Sequence, residues 1–310
     1  MNNILEEFKR AFKTGNILYQ LIIINLAVFL GLGVIKVILV LSQNAGIHTA
    51  IYEYLSLPSN TQRLLYQPTS IITYMFMHRD FFHILFNMLF LFWFGRIITE
   101  YLGQNKVLGL YVWGGIVGGL AYIITYNLVP FYSNAVELST LVGASAGVLA
   151  VVVGAATFQP DFTVMLFLLG PVKIKWIAFF VVLSSFFGTI GENAGGEIAH
   201  LGGALTGFLF ITQLRKGNDW SKPVASFVTW VKSFFTAQPK IRVSYRKEEP
   251  KKQKTSRTSR SAGRSASRAA KSSGKTSQEE IDAILDKISE KGYDALSKEE
   301  KQKLFNASKD

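Results

Sequence analysis

One hydroxyl group, that of Ser145, interrupts an otherwise apolar stretch of the chain, LVGASAGVLA. Gly143 and Gly147 flank it as a GxxxG pair. Such pairs let helix backbones approach closely, so packing alone would explain a small residue here. A serine can instead act as a nucleophile, but only beside a base that accepts its proton. The function of Ser145 therefore depends on which polar groups lie near it in the folded protein.

Two other apolar stretches contain candidate partners for this serine. His83 and Asn87 are four residues apart in HILFNMLF, a spacing that puts both on one face of a helix. His200 lies in AHLGGALTG, where Gly203 and Gly207 form a second GxxxG pair. Each of these residues also has a structural explanation, such as a hydrogen bond between helices. Ionisable groups at membrane depth are costly, however, which favours a function for the two histidines.

Serine and imidazole together can catalyse acyl transfer. The serine oxygen attacks a carbonyl carbon, and the imidazole takes the serine proton and returns it to the leaving amine. Donors must also face the developing oxyanion, and the Ser145 amide and the His83 and Asn87 side chains are candidates. No carboxylate is obviously placed to orient His200, so the sequence predicts a dyad rather than a triad. His78, in FMHRD, is better explained as a structural residue.

The composition indicates whether these groups lie in a soluble protein or in a membrane protein. The 310 residues are 49% hydrophobic, 17% charged and without cysteine, and the mean hydropathy is +0.25. An ordinary soluble domain has about 25% charged residues. Apolar runs long enough for a hydrocarbon core of ~30 Å recur, so we expect an all-α membrane protein. The first run is too long for a cleavable signal peptide and is interpreted as a retained span.

Six candidate membrane spans follow from these runs: Ile17–Leu41, His83–Leu102, Lys106–Tyr126, Gly143–Phe158, Trp176–Ile190 and Glu197–Leu214. Lys and Arg concentrate on one set of connections, which predicts cytoplasmic N and C termini under the positive-inside rule. With that orientation, Ser145 and His200 both lie near the outer ends of their spans. We therefore expect them at similar depth, where glycines permit close approach of their helices.

Four segments are predicted along the chain: a membrane domain over 1–216, an amphipathic interfacial segment over 217–239, a disordered basic linker over 240–276 and a small helical hairpin over 277–310. The linker is rich in Ser, Arg and Lys and cannot bury a core. Beside a membrane its charge favours anionic lipid, and nucleic-acid binding is not expected because aromatic interleaving is missing.

Three motifs in order give the chain a family resemblance: HRDFFHILFN, GASAG around the serine, and AHLGGALTG. Over about 67–215 the sequence resembles the rhomboid family of intramembrane serine proteases. The resemblance implies a six-transmembrane-helix bundle, a Ser145–His200 dyad, and an oxyanion site that uses His83, Asn87 and backbone amides, including that of Gly143. It also implies transmembrane protein substrates cut near the outer face, with no metal or cofactor. The hairpin resembles a module of some bacterial rhomboids, which suggests a bacterial cytoplasmic membrane.

The chain departs from the family pattern at three positions near the site. Ala146 follows the serine where glycine is common, Leu149 replaces a frequent aromatic residue that stacks on the histidine, and Thr69 replaces a tryptophan. None of these changes removes a reacting atom. They bear on the orientation of the histidine and on substrate preference.

Two other functions stay open from the sequence. A catalytically silent rhomboid-like protein would bind membrane clients, but such relatives characteristically lose the serine or the histidine, and both are present here. A transporter would need ionisable groups along a path across the bilayer, whereas here they cluster near one face. The substrate, the oligomeric state and the partner of the hairpin are left open by the sequence.

Overall fold

The computed structural model describes residues 15–166, 170–234, 278–291 and 295–307. It divides into two compact units, 1–241 and 242–310, and each is described by itself. The whole of the predicted basic linker, 240–276, lies outside the described residues, and so does the contact with anionic lipid that was predicted for it.

Ten helices are described in the first unit: α1 (Ile17–Leu41), α2 (Ala45–Leu55), α3 (Thr61–Tyr66), α4 (Ser70–Thr73), α5 (Phe81–Leu102), α6 (Gln104–Leu128), α7 (Ser145–Phe158), α8 (Ile174–Gly188), α9 (Ala194–Arg215) and α10 (Ser221–Ser233). Helices α1, α5, α6 and α9 are long and apolar enough to cross a membrane, and α7 and α8 are shorter apolar helices. These six match the predicted spans to within three residues at every end. The protein is an all-α membrane bundle.

Glycines set the spacing between the three central helices of this bundle, α6, α7 and α9. A Cβ atom at Gly203 would contact the carbonyl oxygen of Ala146, and one at Gly207 would contact that of Ala150. On the other side of α7, a Cβ at Gly147 would lie 2.6 Å from the Tyr111 carbonyl oxygen. Such backbone-to-backbone contact is possible only with small residues. Helix α7 is therefore held tightly between its two neighbours.

Helix α7 is shorter than its neighbours α6, of 25 residues, and α9, of 22 residues. Its 14 residues span about 21 Å at a rise of 1.5 Å per residue, less than the ~30 Å of a hydrocarbon core. Before it, strand β2 (Thr140–Leu141) pairs antiparallel with β1 (Leu57–Pro58). The segment that precedes Ser145 is thus fixed to the long connection after α1 rather than left as a free loop.

Buried tyrosines join this long connection to the bundle. The Tyr74 hydroxyl donates to the Gly115 carbonyl at 2.6 Å, and the Tyr111 hydroxyl donates to the Met75 carbonyl at 2.8 Å. Tyr54, Leu65 and Tyr66 of the same connection are exposed, as an interfacial segment requires. The connection therefore packs on the bundle through one side and presents apolar side chains on the other.

A small hairpin between α7 and α8 was not predicted from the sequence. Strand β3 (Thr163–Leu166) pairs antiparallel with β4 (Gly170–Lys173). Hydrogen bonds from Lys175 and Lys173 hold the pKa of Asp161 down at about 2. The hairpin is too short for its apolar alternation to stand out in sequence. Apart from this pair and β1–β2, the described residues contain no strands.

Helix α10 lies within the predicted amphipathic segment and is tied to α6. The Lys106 amino group contacts the Asp219 carboxylate at 2.8 Å, and the Trp113 indole donates to the Trp220 carbonyl at 2.9 Å. Among the described residues of this segment, three aromatic side chains are exposed: Phe227, Trp230 and Phe234. An exposed aromatic stripe beside lysines is typical of a helix that lies in a membrane interface.

The second unit contains two short helices within the predicted hairpin, α11 (Gln278–Lys291) and α12 (Lys298–Ala307). The sequence SKEE forms a capping box, in which the Ser297 amide donates to the Glu300 carboxylate and the Glu300 amide donates to the Ser297 hydroxyl. The Lys287 amino group contacts the same carboxylate at 2.8 Å and joins the two helices.

Candidate active site

A cleft of about 460 Å³ opens between α5, α7, α8 and α9 and brings together the four side chains that the sequence singled out. Ser145 comes from the first turn of α7, His83 and Asn87 from α5, and His200 from α9. Apolar side chains complete the lining, among them Phe82, Phe86, Val148, Leu149 and Val181. A polar cluster in an apolar concave surface is the usual character of a small-molecule or peptide site.

The glycines of α6 bring the serine and histidine helices to the same level. A Cβ atom at Gly118 would lie 2.6 Å from both the Ala146 Cβ and the Ala199 carbonyl oxygen. These two residues are the chain neighbours of Ser145 and His200. Helices α7 and α9 therefore both contact α6 at Gly118, and the Ser145 and His200 side chains line one cleft.

Gly143 contributes space to the site rather than a hydrogen-bond donor. Its φ of +137° is one that residues with side chains rarely adopt. A Cβ atom there would lie 2.9 Å from His83 Nε2 and 3.4 Å from Ser145 Oγ. Its amide donates to the Tyr74 carbonyl at 2.9 Å. The expectation that the Gly143 amide stabilises an oxyanion is therefore wrong for this conformation, because that N–H already has an acceptor.

The hydrogen bonds of His83 and Asn87 leave donors available near the serine. The Arg79 amide donates to His83 Nδ1 at 3.3 Å, so the imidazole proton is assigned to Nε2, the atom near Gly143. The Asn87 side-chain amide donates one hydrogen to the His83 carbonyl at 2.8 Å, which leaves its second hydrogen for another acceptor. Both side chains can therefore donate into the cleft.

His200 has a carboxylate partner that the sequence analysis missed. Its Nδ1 lies 3.0 Å from Glu197 Oε2 and 3.1 Å from Ser185 Oγ of α8. The expectation that no carboxylate is placed to orient His200 is therefore wrong. The signal was present, because residues three apart on a helix are neighbours. Glu197 is the first residue of the predicted sixth span, three positions before His200.

His78 packs behind the site as a buried structural residue. Its ring lies edge-on against His83, with centroids 5.1 Å apart. Burial, together with the neighbouring His83, lowers the pKa of His78 to about 3. His78 is therefore neutral at physiological pH and supports His83 by packing. In the part of the chain that the structure describes, no cluster of three His, Asp or Glu side chains could hold a metal ion.

The fold and the cleft define a polytopic helical membrane protein with a serine and histidines in an internal polar site. Residues 66–217 match the Rhomboid domain, which supports assignment of this part of the chain to the rhomboid family. A curated relative, RHOMBOID-like protein 12, mitochondrial, from Arabidopsis thaliana, is 28% identical over 157 residues, which are 48% of this chain and 47% of the relative. The chain thus spans about half the length of that relative.

The second unit matches a different family. Residues 272–310 match a family of unknown function, DUF6576. The match begins within the basic segment and includes both α11 and α12, so the hairpin is a recurring module outside the Rhomboid domain.

Proposed function

We propose that the protein is an intramembrane serine endopeptidase that cleaves transmembrane protein substrates near the outer face of the bilayer. The observation that carries this proposal is the single cleft lined by Ser145, His200, His83 and Asn87 within a bundle of apolar helices. A nucleophile, a base and hydrogen-bond donors around one cavity are the groups that acyl transfer requires. The match of residues 66–217 to the Rhomboid domain supports the same reaction.

In this proposal Ser145 is the nucleophile and His200 the general base. Ser145 Oγ forms a bond to the scissile carbonyl carbon while His200 Nε2 accepts the hydroxyl proton. The imidazolium gives that proton to the leaving amine as the C–N bond breaks, which leaves an ester on Ser145. Water then attacks the ester and gives a proton to His200. When His200 returns this proton to Ser145 Oγ, the acid is released and the serine is restored.

Three donors would stabilise the oxyanion of each tetrahedral intermediate. They are the His83 Nε2–H, the second amide hydrogen of Asn87 and the backbone N–H of Ser145. The last is in the first turn of α7, where amides have no partner within the helix and the helix dipole favours negative charge. Preorganised donors of this kind act strongly in a site shielded from water.

Covalent labelling of Ser145 tests the proposal directly. We expect a serine-directed fluorophosphonate probe to label the purified protein, because a base beside the hydroxyl makes Ser145 a nucleophile. Ser145→Ala should not be labelled, whereas Ser184→Ala, which changes another serine of the bundle, should be labelled like the wild type. An unlabelled but folded wild type would favour the silent, client-binding alternative.

We also propose that both termini are cytoplasmic and that the connection between α6 and α7 faces outward, as the Lys and Arg distribution predicts. The bacterial cytoplasmic membrane stays a prediction from the resemblance of the hairpin. The chain has no cysteine, so engineered cysteines report their side without background. In intact cells we expect an impermeant maleimide to label Leu138→Cys, which replaces a side chain 86% exposed. Met165→Cys, at 77% exposure in β3, should be labelled only after the cytoplasmic face is opened, and the reverse pattern would refute the topology.

A further inference from the structure

We propose that Glu197 is a positioning residue that fixes the tautomer of His200, so that the site works with a carboxylate–histidine–serine triad. The expected effect on kcat rests on the proposed function, whereas the expected tautomer of His200 does not. Two contacts at His200 Nδ1 support the proposal, the Glu197 carboxylate at 3.0 Å and the Ser185 hydroxyl at 3.1 Å.

The chemistry of the two partners decides where the imidazole proton lies. An ionised carboxylate only accepts hydrogen bonds, so its contact requires a proton on Nδ1. That leaves the Nε2 lone pair free to accept the proton of Ser145. A hydroxyl can either accept from Nδ1–H or donate to a bare Nδ1. Ser185 alone would therefore allow the other tautomer, in which Nε2 is protonated and His200 cannot act as the base.

Packing holds Glu197 in this position. A Cβ atom at Gly188, at the end of α8, would lie 2.7 Å from the Glu197 Cγ. The Glu197 amide donates to the Asn193 carbonyl at 3.1 Å, and the Arg79 guanidinium contacts the Asn193 side chain at 3.4 Å. The Glu197 side chain is 23% exposed, so a partly buried carboxylate faces the histidine.

Glu197 is placed to act through His200 and not on the substrate. Neither Glu197 nor Ser185 is among the residues that line the cleft, whereas His200 and Asn193 are. A change at Glu197 should therefore reduce kcat and leave KM nearly unchanged. A hydrogen bond to a charged group contributes ~1.5–3 kcal/mol, so we expect Glu197→Ala to lower kcat about 10- to 100-fold.

The test combines nitrogen NMR of protein labelled with ¹⁵N-histidine with kinetics on a reporter transmembrane segment. The chain has four histidines, so His200→Gln identifies the signals of His200. We expect the Nδ1–H tautomer in the wild type and the Nε2–H tautomer in Glu197→Ala, where the Ser185 hydroxyl can donate to Nδ1. Adding Ser185→Ala to Glu197→Ala should restore part of kcat, because the competing donor is then gone.

Three further variants separate positioning from folding. Glu197→Gln keeps a side-chain acceptor of the same shape and should lose less activity than Glu197→Ala. Gly188→Ala displaces the unchanged Glu197 side chain and should reproduce part of the loss. Glu192→Ala removes an exposed carboxylate five residues away and should leave kcat at the wild-type value.

Two results would overturn the proposal. One is an Nε2–H tautomer of His200 in the folded wild type. The other is an unchanged tautomer and unchanged kcat in Glu197→Ala. The NMR measurement needs no activity, so it distinguishes this proposal from the proposed function. An inactive wild type with a Glu197-dependent Nδ1–H tautomer would remove the peptidase function and leave the positioning role intact.

Discussion

Replacing Ser145 with alanine is expected to abolish cleavage of a reporter transmembrane segment while the protein stays folded. Alanine fits the close contacts of α7 as well as serine does, so a residue that served only packing would tolerate the change. If Ser145 is the nucleophile, no other group can form the ester, and kcat should fall by more than about 10⁴-fold. Thermal unfolding in detergent should be close to that of the wild type.

The remaining site residues give this first prediction its controls. His200→Ala should be about as inactive as Ser145→Ala, and the double variant scarcely worse, since groups that act as one unit are not additive. Asn87→Ala should retain measurable cleavage, because loss of one oxyanion donor typically costs only ~10²–10³-fold. Wild-type cleavage by folded Ser145→Ala would contradict the peptidase proposal.

Gly203→Ala, which adds a single methyl group, should lower both stability and activity. We expect this effect to be the largest after that of Ser145→Ala. The Cβ of Gly203→Ala would meet the carbonyl of Ala146, which is backbone and cannot move without α7. Overpacking a core costs ~1–3 kcal/mol and occasionally more, and we expect at least the upper value here. At roughly 2–4 °C per kcal/mol, the melting temperature should fall by about 6–12 °C.

The activity of Gly203→Ala should fall together with its melting temperature, since a shift of α7 against α9 separates Ser145 from His200. Gly207→Ala, which would meet the Ala150 carbonyl, should behave in the same way. The matched control is Gly33→Ala in α1, where nothing lies within 4 Å of the added atom. That change should be neutral or slightly stabilising, because alanine favours a helix by ~1 kcal/mol over glycine. Equal melting temperatures for Gly203→Ala and Gly33→Ala would contradict the packing described for α7 and α9.

The sequence by itself determined the bundle and the identity of the polar groups in it. Apolar runs of membrane length are local features, so the spans Ile17–Leu41 and Phe81–Leu102 could be located to within two residues. The shared face of His83 and Asn87 follows from helical periodicity alone. That Ser145 and His200 face one cleft followed from topology, because both spans begin on the same side and carry glycines.

Only the tertiary structure decided how the hydrogen bonds of the site are distributed. The Gly143 amide donates to the carbonyl of Tyr74, 69 positions earlier in the chain, and no local sequence pattern predicts that contact. The partner of His200 was within reach of helix periodicity, but the Ser185 contact depends on how α8 packs on α9. Hydrogen bonds are directional and short-ranged, so their partners depend on the exact packing of the helices. Hydropathy and residue spacing do not encode that packing.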